Sequence, residues 1–149
     1  MTDPAGSRFV YVTFIRTTPD KLWAALTDPD INQQFWFGVR QETDWTPGAA
    51  WRMVYPDGRV TDAGEVVEVV PNERIVLKWR NEFRPELKAE GFGRCTLEIE
   101  ALEGAVKLTV THEIDCPESK LITAVSGGWP RILSNLKSLL ETGEVVLKG

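Results

Sequence analysis

ESKLITAVSGGWPRILSNLKSLLETG, residues 118–143, carries its apolar side chains at helical spacing. Leu121, Ile122, Val125, Trp129, Ile132, Leu133, Leu136, Leu139 and Leu140 recur every three or four residues, which puts them in one stripe along an α-helix. Ser119, Lys120, Ser134, Asn135, Lys137, Ser138 and Glu141 fall largely off that stripe. A helix this amphipathic needs a broad apolar surface to lie on, and the strand-like segments upstream supply one. The expected architecture is a curved antiparallel sheet gripping the helix, with a cavity between them. Gly127-Gly128 and Pro130 interrupt the pattern; Pro130 lacks the N–H for the Ser126 carbonyl, so a kink or break is expected there.

Six segments read as strands: 8–16 (RFVYVTFIR), 50–55, 60–70, 74–80, 93–101 and 105–114. Two short helices follow the first strand. Thr18 stands as N-cap with Pro19 at the first helical position of 19–27, and Asp28-Pro29 starts a second helix over 29–36. Asp57-Gly58, Pro71-Asn72 and Glu103-Gly104 are turn signals. Residues 81–91 are polar, broken by Pro85, and read as a mobile loop, either a gate over the cavity or a solvated hairpin tip.

Alternation assigns the faces. Val106, Leu108, Val110, His112 and Ile114 share the concave side, as do Cys95, Leu97, Ile99 and Ala101, then Ile75, Leu77 and Trp79, then Trp51, Met53 and Tyr55. Two-residue turns pair Leu97 with Val110 and Cys95 with His112, and set Gly64 opposite both Trp51 and Trp79. A glycine between two indoles is expected to leave a gap over the sheet that the rings wall off. Asp62 and Glu68 fall on the concave face by parity. They read either as carboxylates of raised pKa or as marginal groups reaching water.

The chain has 149 residues, 42% hydrophobic and 26% charged, which suits one domain over residues 1–149. Its net charge of -5 argues against a nucleic-acid partner, which needs a basic face, and against an anionic membrane. Two cysteines, Cys95 and Cys116, make no disulfide framework and fit a reduced, cytoplasmic setting. The opening MTDPAGSRFV lacks the basic and apolar regions of a signal peptide, and no apolar run reaches the ~18 residues of a membrane span. One histidine excludes a multi-histidine metal site, and neither metal nor cofactor is expected.

Several stretches together resemble a known family. They are Thr18-Pro19-Asp20-Lys21-Leu22-Trp23-Ala24-Ala25-Leu26-Thr27-Asp28-Pro29, Gln34-Phe35-Trp36, Gly64-Glu65-Val66, Arg74-Ile75-Val76-Leu77-Lys78-Trp79, Leu108-Thr109-Val110-Thr111-His112-Glu113, and Gly128-Trp129 through Leu140. In this order they resemble the START-like superfamily (SRPBCC, polyketide cyclase-like), and within it most closely the activator-of-heat-shock-protein-90-ATPase homologues (AHSA-like proteins). The resemblance implies an α+β helix-grip fold: a seven-stranded curved antiparallel sheet, two small helices and a long C-terminal helix around an apolar cavity. The N-terminal segment would be the seventh strand. Members of that superfamily bind lipids, steroids or polyketides, and some catalyse cyclisation or hydration, so a shared fold does not select one activity. Eukaryotic co-chaperone activators carry an extra N-terminal domain that this sequence lacks, which weighs against a chaperone role.

The expected ligand-binding residues are Trp36, Trp51, Met53, Tyr55, Gly64, Leu77, Trp79, Cys95, Leu97, Val110, His112, Trp129 and Leu133, with His112 as a polar anchor. Cys95 beside His112 reads either as a nucleophile–base pair or as a buried thiol packing next to a satisfied imidazole; no orienting acid or oxyanion hole is identifiable for the first. The function expected is a cytoplasmic protein, monomer or homodimer, holding an apolar or amphipathic ligand. The alternatives are a cyclase- or hydrolase-like enzyme on the same cavity, and a chaperone-interacting protein.

Overall fold

Alternation and turn chemistry build the sheet that positions everything else in the computed structural model, which describes residues 6–148. Residues 1–5, on which the expected absence of a signal peptide and the start of the domain rest, lie outside the described residues, as does residue 149. In chain order come β1 (Ser7–Ile15), α1 (Pro19–Thr27), α2 (Pro29–Phe35), β2 (Arg40–Glu42), β3 (Ala50–Val54), β4 (Val60–Val70), β5 (Arg74–Asn81), α3 (Pro85–Lys88), β6 (Gly93–Leu102), β7 (Ala105–Ile114) and α4 (Lys120–Thr142). The strands form one antiparallel sheet in the order β1-β7-β6-β5-β4-β3-β2. The curved seven-stranded sheet, the long helix and the two short helices after β1 make the helix-grip fold. Among the described residues no helix is long and apolar enough to cross a membrane.

The N-terminal strand is already one of the six read from the sequence. The seventh is β2, whose three residues Arg-Gln-Glu have no strand-like composition. It is held by side chains instead. Arg40 and Arg52 both pair with Glu42 on the outside. Inside, the Gln41 amide donates to the Leu26 carbonyl at 2.8 Å and its oxygen accepts from the Trp51 indole at 2.9 Å. Asn32, fully buried, accepts from the Gln41 N–H and donates to the Ala25 carbonyl. This buried amide network ties α1 and α2 to the sheet, with each member hydrogen-bonded.

The β6–β7 register places Cys95 opposite His112 and Leu97 opposite Val110, as the Glu103-Gly104 turn requires. Gly64 does sit opposite Trp51 and Trp79, but two irregularities cancel to put it there. The β4–β5 turn is one residue longer than Pro71-Asn72, with Val70 opposite Arg74, and a bulge at Val67 removes the offset. The bulge also overturns the parity of Glu68. Val69 packs on the core in its place, and Glu68 turns outward to pair with Arg74 at 2.6 Å.

No gap opens at Gly64. A Cβ there would lie 1.8 Å from the Lys78 carbonyl oxygen, so the glycine is required by close backbone approach. The Trp51 and Trp79 rings meet across it, with centroids 4.6 Å apart.

Of the kink or break expected at Pro130, the break is absent: α4 runs without interruption from Lys120 to Thr142 with Pro130 inside it. Trp129 and Leu133, both buried, anchor the helix on each side of the proline, and packing of this kind outweighs local propensity. Ser119 caps the start by accepting from the Ile122 N–H, and Gly143 closes the end in the left-handed conformation. Thr18 occupies the N-cap position of α1 without a side-chain cap bond, whereas Asp28 caps α2 through the Asp30 N–H.

Residues 81–91 are not a free loop. Asn81 Oδ1 accepts from the Phe83 and Arg84 N–H groups, and α3 follows. Leu87 is buried against Ile114, Leu121 and Ile122. The Glu90 carboxylate accepts from the Ser119 hydroxyl and from the Lys120 and Leu121 N–H groups, so it holds the segment to the start of α4, where a negative charge is favoured.

Candidate functional site

A cavity of about 400 Å³ opens between the β3–β5 end of the sheet and the first half of α4. That volume falls within the range of small-molecule sites. Six aromatic residues line it, Trp36, Phe37, Tyr55, Trp79, Phe83 and Trp129, among mostly aliphatic neighbours and a few polar groups. Leu121, Val125, Gly128, Trp129 and Ile132 reach it from α4 at spacings of three and four. Gly128 has nothing within 4 Å of where its Cβ would be, so its missing side chain adds to the space. At the rim, the Arg59 guanidinium lies 4.8 Å over the Tyr55 ring and 5.6 Å from that of Phe83, while Arg131 lies 5.6 Å over Phe37.

Two indoles form the inner wall and carry its polar bonds. Trp79 Nε1 donates to Asp62 Oδ2 at 2.7 Å. Trp129 Nε1 donates to His112 Nδ1 at 3.1 Å. Their ring centroids are 5.9 Å apart, and Trp36 packs edge-on to Trp129 at 5.3 Å. The Trp79 ring also meets His112, at 4.8 Å.

Asp62 lies beside Met53 and Asn81 across the sheet, and all three side chains line the cavity. Burial pushes its carboxyl up to about 6; bonds from Thr61 and Trp79 work against the rise, and Glu82 adds to it. Asp62 is therefore an acceptor in an apolar wall, poised to change charge near neutrality.

His112 and Cys95 lie behind the rings, both with no exposed surface. An indole N–H only donates, so Nδ1 of His112 is the acceptor and the neutral ring carries its proton on Nε2. Nε2 has no hydrogen-bond partner among the described residues, which excludes a bond to Cys95. Burial lowers the His112 pKa to about 4 and raises that of the Cys95 thiol well above its ordinary value. Both groups are biased to their neutral forms with no hydrogen bond between them, an arrangement that does not favour a thiolate.

Of the residues named from the sequence, Trp36, Met53, Tyr55, Trp79 and Trp129 line the cavity together. Trp51, Leu77, Cys95, Leu97, Val110, His112 and Leu133 are buried in the core away from it, and Gly64 is half-buried beneath the rings. Phe37, Phe83, Leu87 and Arg131 were missed. Phe83 and Leu87 were hidden by the polar composition around them, although two apolar residues in a charged segment were a signal. Leu121, Val125 and Ile132 were in the helical stripe, and their common edge was the clue to the open side. Among the described residues no group of three or more His, Cys, Asp or Glu side chains could hold a metal ion.

The family model for Activator of Hsp90 ATPase homolog 1-like protein matches residues 16–141. No curated protein matches the chain. Among solved structures, protein MLL2253 from Mesorhizobium loti has a TM-score of 0.77 at 21% identity, covering 90% of this chain and 96% of its own. The Aha1 dimer from Colwellia psychrerythraea has a TM-score of 0.71 at 17% identity, covering 92% and 98%. An HSP90 activator from Plasmodium falciparum has a TM-score of 0.72 at 23% identity, covering 89% and 95%. At these identities the likeness is one of fold.

Proposed function

The chain belongs to the family of Activator of Hsp90 ATPase homolog 1-like proteins, and we propose that it holds a small apolar or amphipathic molecule between its sheet and α4. The observation that carries this reading is the 400 Å³ cavity lined by six aromatic residues, with Asp62 as a polar group inside it. Gly128, facing open space in the middle of a helix, supports a cavity maintained for an occupant.

A second reading is contact with a chaperone. It draws on the HSP90 activator among the similar structures and on a stripe of exposed apolar residues along β1, namely Val10, Val12 and Phe14. Native mass spectrometry of the protein as purified from cells separates the two readings. A small adduct of defined mass, recovered by extraction, is the expected result. A chaperone-sized complex instead would favour the second reading. A bare chain whose melting temperature no apolar probe raises would overturn the first.

A further inference from the structure

We propose that the occupant of this cavity is an organic ammonium: an apolar body carrying a protonated or quaternary amine, with the charge held by Asp62. The inference rests on the cavity being a binding site and goes on to name the chemistry of its ligand. Asp62 is the acidic side chain among the lining residues, and it comes from β4. The Trp79 indole N–H orients its carboxylate by bonding Oδ2. Tyr55, Trp79 and Trp129 line the cavity with it; Trp79 meets Asp62 through its indole N–H, and the Tyr55 ring already holds the Arg59 guanidinium 4.8 Å from its centroid, so this wall accepts a cation. A carboxylate in a cavity lined by aromatic residues offers an ammonium both a counter-charge and apolar ring surface for its body. It offers a carboxylate ligand repulsion, and a hydroxyl a single hydrogen bond.

The charged groups around Asp62 fit this assignment. On β3 and β5 its neighbours across the sheet are Met53 and Asn81, both uncharged. Glu82, next along from Asn81, adds negative potential and is itself paired with Arg80 and Lys88. From α4, Arg131 contributes to the lining but is exposed, with its guanidinium over the Phe37 ring. Arg59, from the β3–β4 turn, is paired with Asp57 at 2.7 Å and lies over Tyr55 and Phe83. Arg59 is paired with Asp57 and Arg131 is exposed over Phe37, while Asp62 supplies the negative charge of the lining.

Octylamine, octanol and octanoate share one chain and differ in the head group, so their affinities measured by titration calorimetry test the proposal. Octylamine is expected to bind about tenfold more tightly than either of the others near neutral pH. Its affinity should fall about tenfold between about pH 7 and about pH 5, as Asp62 takes up a proton and the counter-charge is lost. Asp62→Asn should remove both the preference and the pH dependence, with an unreduced melting temperature showing that the variant is folded. If the three probes bind equally, or if octylamine keeps its advantage in Asp62→Asn, the ammonium assignment is overturned while the cavity stands as a binding site. If none of them binds or raises the melting temperature, the cavity reading falls and this one with it.

Discussion

The Trp79 and Trp129 rings divide the concave face into two regions that use the same kinds of residue differently. In front of them Asp62 faces a cavity; behind them His112 and Cys95 are sealed. Each region has one group bonded to an indole N–H, Asp62 to Trp79 and His112 to Trp129. The same cause, burial, moves the two in opposite directions: the carboxyl rises to about 6 and the imidazole falls to about 4. Both are therefore biased towards the neutral form, yet only the one beside open space can meet a ligand. The difference teaches that sharing a face of a sheet is not enough to share a site; depth behind the large rings decides which polar group is available.

The largest effect should come from removing the division itself. Trp79→Ala deletes a ring that touches Trp51, His112 and Trp129 and also takes the donor from Asp62. A loss of about 3–5 kcal/mol is expected in denaturant unfolding. The imidazole of His112, newly open to the cavity, should then titrate closer to its ordinary value. A loss below about 1 kcal/mol with His112 unmoved would show that the ring does not separate the regions.

A smaller effect sharpens the contrast. Because the folded pKa of Asp62 lies above its ordinary 3.8, the ionised group costs stability, fully above about pH 6 and not at all below about pH 4. Asp62→Asn should therefore stabilise the protein at neutral pH by up to about 2 kcal/mol, with the gain vanishing on acidification. His112 works in the opposite sense. Its folded pKa is below its ordinary value, so stability is lost as pH falls from about 6.5 towards about 4. The two linkages offset each other in the wild type. The plot of melting temperature against pH across this range should be flatter for the wild type than for Asp62→Asn, where the loss from the histidine is no longer offset.

Most of the fold was legible because periodicity, turn chemistry and parity are local. β4 and β7 begin and end where the sequence places them, and the α4 stripe identifies the helix that the sheet grips. What escaped was set by tertiary contacts. β2 exists because Gln41 bonds Leu26 and Trp51, not because its residues favour strands. The bulge at Val67, invisible to alternation, moved Glu68 off the concave face. Glu90 and Leu87 pin a segment whose composition looks mobile. The site was legible only in part for the same reason. Parity named Trp79, Met53 and Asp62 correctly as concave. It had no means of telling that His112 and Cys95, equally concave, would be covered by indoles arriving from β5 and α4.

The most direct test of the division is to titrate both groups in one sample, following the Asp62 side-chain carboxyl carbon and the His112 imidazole by carbon-13 NMR. The account predicts that Asp62 changes near pH 6 and that His112 stays neutral to about pH 4. An ordinary carboxyl pKa for Asp62, together with a histidine that titrates near about 6.5, would contradict it.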